Sequence, residues 1–193
     1  MTPRAVALPP DQRREALVQA TLPLLLLHGR AVTTRQIAEA AGVAEGTILR
    51  VFDSKDELVE AAVRQAFVPG RLAHELDDID PAAPLRGRLV LMVSILQRRF
   101  TEIFGLMRAV GMVAPPVDHD SEAHVRARED VNERLLRLIT PDADQLGLPP
   151  EQVMHILRLL TFSASHHDIA DGRLLTPTQI VDVVLDGVLK KEC

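Results

Sequence analysis

The chain has 193 residues, 47% of them hydrophobic and 25% charged, with a formal net charge of −5. These values suit a folded globular protein and exclude a chain too polar to bury a core. The single cysteine, Cys193, cannot build a disulfide framework. No apolar run approaches a membrane span, and Met1 to Pro10 lacks the apolar stretch of a secretory leader. A cytoplasmic protein with no membrane partner is therefore expected.

The charge is unevenly spread. Residues 1–67 hold eight basic and eight acidic side chains, so the remaining fourteen basic and nineteen acidic ones account for the whole of −5. A neutral front half is compatible with a polyanionic partner, because the direction of its cations matters more than their sum.

In chain order the pattern is helical throughout, giving an all-α fold of about nine helices. A first helix is expected from Pro10 or Asp11 to about His28, with Gly29 as its stop and Ala16, Leu17, Ala20, Leu24 and Leu27 as its buried stripe. Pro23 predicts a bend within it. Thr33-Thr34-Arg35-Gln36 is a capping box for a short helix that ends at Gly42, and a second short helix follows from about Glu45 to Val51. Ser54-Lys55-Asp56-Glu57 is another capping box, opening a helix to about Phe67, and Pro69-Gly70 closes it. The boundary placed there separates a head, residues 1–67, from a larger helical body, residues 68–193.

Within the body, Asp77 to Pro84 is a polar link. The apolar stretch Leu85 to Gly111 predicts two helices broken near Phe100 or Thr101. Helices over about 121–139, 150–170 and 177–190 complete the chain.

The sharpest signal is in the head. Two short helices joined through Ala41-Gly42-Val43-Ala44 have helix-turn-helix proportions, in which the second helix enters a DNA major groove. Thr33-Thr34-x-x-Ile37-Ala38-x-x-Ala41-Gly42-Val43-x-x-Gly46-Thr47-Ile48, followed by Phe52-x-Ser54-Lys55-x-Glu57-Leu58, closely resembles the N-terminal signature of the TetR family of bacterial regulators. The resemblance covers about residues 13–62. It implies a ligand-responsive regulator, usually a repressor, that binds a pseudo-palindromic operator as a homodimer and is released by a small molecule in the body. It also implies pairing of the last two helices across the dimer. Val153, Ile156, Leu157, Leu160 and Ala164, with Ile180, Val183, Val184 and Leu185, supply stripes for that pairing or for the chain's own core.

The expected DNA-binding residues are Thr34, Arg35, Glu45, Gly46, Thr47, Leu49, Arg50 and Lys55. Thr34 and Arg35 stand at a helix N-terminus, where unpaired N–H groups favour a phosphate. Gly46 permits close backbone approach, and the Thr47 hydroxyl suits a phosphate. Arg50 can fork onto guanine O6 and N7, and Lys55 can hold a flanking phosphate. Thr33, Ser54 and Glu57 read as caps. The chain departs from the family at Leu49, commonly an aromatic, and at Val51, commonly Tyr or His. It departs again at Ala44, commonly a Ser or Thr cap worth roughly 1 kcal/mol, a loss that Glu45 partly offsets through the helix dipole. These changes remove backbone contacts and shift weight to an apolar contact such as Leu49 on a thymine methyl.

Met92, Leu96, Phe100, Phe104, Met107, Arg108, Phe162 and His166 are the candidate ligand-binding residues. They suit a small apolar or amphipathic effector, with Arg108 or His166 as its polar anchor, although such side chains also fill ordinary cores. The alternative function is the same fold with a head that no longer binds DNA, serving as a small-molecule or protein-binding module. A helical metal-dependent enzyme is the weaker alternative. His167 and Asp171 share a helix face and Asp118-His119-Asp120 adjoins His124, but two ligands make a poor site, and no nucleophile–base pair or phosphate loop is visible. No catalytic residue, metal or cofactor is expected.

Overall fold

The computed structural model describes residues 9–116 and 121–188, so Asp118-His119-Asp120 and Cys193 lie outside the described residues. Among these the chain forms nine α-helices: α1 (Pro10–His28), α2 (Thr34–Ala41), α3 (Ile48–Val51), α4 (Lys55–Phe67), α5 (Gly70–Asp77), α6 (Leu85–Val110), α7 (Glu122–Arg137), α8 (Pro150–Ser165) and α9 (Pro177–Val188). None of the described helices is long and apolar enough to cross a membrane.

Two compact units result. The first comprises Met1–Val68 with Gly105–Val117, and the second Pro69–Phe104 with Asp118–Cys193. The expected division into 1–67 and 68–193 is thus incomplete, because the end of α6 joins the head. Leu106 and Val110 are buried there among Leu17, Leu25, Ile48 and Leu58. Turn Gly29–Ala31 meets the same segment: Arg30 Nε donates to the Val110 carbonyl at 3.2 Å. Gly29, at φ +55° and ψ −144°, would clash with the Ala109 carbonyl if it carried a Cβ.

The buried face of α1 is not the expected one. Leu17, Val18, Thr21 and Leu25 are buried, while Leu27 is 76% exposed. Thr21 can be interior because its hydroxyl donates to the Leu17 carbonyl at 2.7 Å, one turn back. A stripe drawn through apolar residues alone passes it by and rotates away from the true face. The helix continues through Pro23, which is exposed.

In the second unit, α6 does not break near Phe100. Thr101 turns its hydroxyl onto the Gln97 carbonyl at 2.9 Å, and Phe100 packs against the unit's core. Tertiary packing there overrides the weak helix propensity of Phe and Thr. Helix α5, in a segment to which the sequence analysis assigns no element, brings the total among the described residues to nine. Its Leu76 is fully buried.

The core of this unit is built from Leu89, Met92 and Val93 of α6, Leu135 of α7, Leu157 of α8 and Val181 of α9. Arg88, only 3% exposed, lies beside them with its donors used: Nε to Leu138 O at 3.1 Å, Nη1 to Pro81 O at 2.7 Å and Ala83 O at 2.6 Å, and Nη2 to the Asp142 carboxylate. One guanidinium therefore closes the loop before α6 onto the turn after α7.

Helix α8 ends at Ser165, short of the expected 170, with His166 extended at φ −92°, ψ 116°. His167 and Asp171 therefore fall in a turn, with Asp171 and Gly172 at φ 48° and 72°, and do not share a helix face. Among the described residues no cluster of three potential metal ligands exists.

Candidate functional site

The helix-turn-helix is assembled by short-range hydrogen bonds. Thr33 Oγ1 accepts from Gln36 N–H at 3.2 Å while Gln36 Oε1 accepts from Thr33 N–H at 2.8 Å, so the first capping box is complete. At the other end of α2, Gly42 adopts φ 67°, ψ 31°, which allows Val43 N–H to reach the Ala38 carbonyl at 3.0 Å. That left-handed residue is the one a side chain would strain. The second helix begins as a 3-10 turn, Glu45–Thr47, before α3, and Ala44 offers it no side-chain cap, as its methyl requires. The Ser54 hydroxyl accepts from Glu57 N–H at 3.1 Å. The reciprocal half of the second box is displaced, because Glu57 Oε2 accepts from Asp53 N–H, at 2.7 Å, instead of Ser54 N–H.

Glu57 has a second task. Its Oε1 accepts from Arg14 Nη2 at 3.1 Å, and Arg14 Nη1 donates to the Val51 carbonyl at 3.2 Å. The same guanidinium lies 4.1 Å above the Phe52 ring, which is 2% exposed. The Asp53 N–H first, and then Arg14, hold the Glu57 carboxyl below the usual carboxylate range. The C-terminal end of α3 is thereby tied to α1 and α4. Arg14 went unnoticed in the sequence because its partners are 37 and 43 residues away.

With Ile48 and Phe52 turned inward, Gly46, Leu49 and Arg50 face out. Leu49 is 65% exposed. Arg35 and Arg50 are exposed and make no hydrogen bond or ion pair with any described residue. A Cβ on Gly46 would meet nothing within 4 Å, and its φ is not positive, so the head itself does not require glycine there. Thr47 is half-buried.

Three expected contact residues, Thr34, Glu45 and Lys55, are partly committed within the head. The Thr34 hydroxyl donates to the Glu45 carboxylate, which turns Glu45 back toward the start of α2. Lys55 Nζ donates to Arg30 O at 3.1 Å and Val32 O at 3.2 Å, spending two of its three protons on the turn after α1. An open groove of about 430 Å³ between α1 and α4, lined in part by Arg14, Val18, Ala61 and Arg64, contains none of the expected site residues.

The candidate ligand-binding residues divide between the units. Met107 and Arg108 lie on the α6 segment of the first unit. In the second, Met92 and Leu96 are core residues at 1% and 4% exposure. Phe100, Phe104, Phe162 and His166 form an aromatic cluster. Phe162 meets Phe100 and Phe104 edge-on at 5.4 and 5.0 Å, and His166 meets Phe104 at 4.6 Å. Residues 58 to 62 positions apart in sequence are thus brought together, with Phe162 40% exposed at the edge.

The class of protein follows from the head. A helix-turn-helix whose second helix presents a bare glycine, a leucine and an arginine exposed to solvent defines a nucleic-acid-binding architecture. Comparison with known proteins agrees: the profile described as "Bacterial regulatory proteins, tetR family" matches residues 17–62. The uncharacterized HTH-type transcriptional regulator YvkB of Bacillus subtilis is 48% identical over 50 residues, which are 25% of this chain and 26% of that one. The HTH-type transcriptional repressor KstR of Mycobacterium tuberculosis is 28% identical over 151 residues, 78% of this chain and 66% of that one. The matches therefore span less than two thirds of these relatives' lengths. A TetR-family transcriptional regulator from Streptomyces coelicolor shares the fold at a TM-score of 0.61 and 22% identity, over 94% of this chain and 80% of that structure. Over residues 17–62 the chain is thus similar to the TetR family, and the fold is one it shares with solved TetR-family regulators.

Proposed function

We propose that the protein is a transcriptional repressor that binds a pseudo-palindromic DNA operator as a homodimer and is released by a small apolar or amphipathic molecule. The observation that carries this reading is the outward face of residues 46–50, with Arg50 unpaired among the described residues on a helix whose other side is fixed by Ile48, Phe52 and Arg14. Arg50 reads guanine in the major groove. The N–H groups that open α2 and the remaining proton of Lys55 position the phosphates.

Dimerisation draws on what the core of the second unit leaves uncovered. Val153, Leu157, Ala164, Ile180, Val184 and Leu185 are buried within the unit, whereas Ile156, Leu159, Phe162 and Val183 remain 37–62% exposed on α8 and α9. The effector is held at the aromatic cluster of Phe100, Phe104, Phe162 and His166, where flat or branched apolar groups find ring faces and the imidazole supplies a polar anchor. The protein works in the cytoplasm, and no catalytic role is assigned to it.

The test is selection of bound duplexes from random DNA by the purified protein and by Arg50→Ala. A pseudo-palindrome enriched by the wild type and not by the variant supports the reading. A folded dimer that enriches no sequence at low salt, where phosphate contacts are strongest, overturns it.

A further inference from the structure

Among the described residues of the head three leucines are exposed, Leu26 and Leu27 of α1 and Leu49. Leu49 is the one of them on the second helix of the helix-turn-helix. It contributes nothing to that unit's core, which takes Ile48 and Phe52 from the same helix at 0% and 2% exposure. At 65% exposure it projects on the face shared with Gly46 and Arg50. A leucine has no donor or acceptor, so it can neither hold a phosphate nor pair with a polar base edge. The major groove offers one apolar group, the C5 methyl of thymine. Arg50 follows Leu49 by one residue, a rotation of about 100° around the helix, so the two side chains address neighbouring base pairs. Gly46, one turn earlier with open space around it, lets the helix come close enough for a short side chain to touch a base.

We propose that Leu49 is a specificity-determining residue that packs on the methyl group of a thymine in the base pair next to the guanine read by Arg50. This rests on the DNA-binding reading above. An apolar protein surface is a poorer occupant, because Leu49 is a single leucine beside an unpaired cation that such a surface would have to desolvate.

The experiment replaces each thymine of the selected operator by deoxyuridine, symmetrically in both half-sites, which deletes the methyl and leaves base pairing unchanged. Wild type is expected to lose about fourfold in affinity per half-site at one position, the burial value of one methyl-sized group. Leu49→Ala should be indifferent to the same replacement and should select operators degenerate at that position, while the Arg50 guanine is retained. Because Leu49 is exposed, its helical circular dichroism and melting should match wild type. An operator at which every uridine replacement is neutral overturns the inference and leaves the DNA-binding reading standing. Retained uridine sensitivity in Leu49→Ala overturns it equally. Failure to select any operator overturns both.

Discussion

One arginine from each unit, Arg88 in the second and Arg50 in the head, are used in opposite ways. In the second, Arg88 is buried and its four hydrogen bonds go inward, to three backbone carbonyls and one carboxylate. In the head, Arg14 is consumed in anchoring α3, and Arg50 is left outside with no partner among the described residues. A guanidinium satisfied within the protein can only stabilise it. One left unsatisfied on an otherwise fixed helix is available to a ligand at little cost in order. Stability should therefore be sensitive to the loss of Arg88, and binding to the loss of Arg50.

The strongest way to break that contrast is Arg88→Ala. Removing the guanidinium leaves three carbonyls and Asp142 without their donor, and should cost about 3–5 kcal/mol. Urea unfolding followed by circular dichroism measures this, since the chain has no Trp or Tyr to report by fluorescence. An unchanged midpoint would show that water serves those groups as well. Gly29→Ala is the corresponding change in the head. Its backbone lies near a region open essentially to glycine, at about 1–3 kcal/mol for other residues, and the Ala109 carbonyl occupies the space of the new methyl. The melting temperature should fall; an unaltered one would mean that the turn relaxes freely.

Arg50→Ala sharpens the comparison from the other side. Specific DNA affinity should drop about 10- to 100-fold, the worth of a forked guanine contact, with no change in melting. A melting loss of the same size would return Arg50 to a structural role.

The smallest effect is electrostatic. Glu57 has its pKa lowered by the Asp53 N–H and by Arg14. A carboxyl so lowered contributes stability above its unfolded value near 4.5, and that contribution is lost as the pH falls through the folded value. Below about pH 4.5 wild type should lose stability more steeply than Glu57→Gln, and the two slopes should agree near neutrality. Parallel slopes at every pH would remove Glu57 as the anchor of Arg14. Asp77, held low by Arg137 and then Arg134, should show the same sign in the second unit.

How much was legible in the sequence follows the span of the bonds involved. The Thr33–Gln36 box, the left-handed Gly42 and the outward set around Arg50 depend on residues three to five apart, and they stand where the sequence places them. Local geometry determined them, since a cap or a turn chooses its residue type by its own φ, ψ and orphan donors. Only the tertiary structure decided the rest: that Thr21 faces inward, that α6 runs unbroken past Phe100, that its end joins the head, and that Arg14 and Arg88 tie segments 37 and 50 residues apart. A polar group's burial is fixed by the partner it finds across the fold, and neither periodicity nor composition carries the identity of that partner.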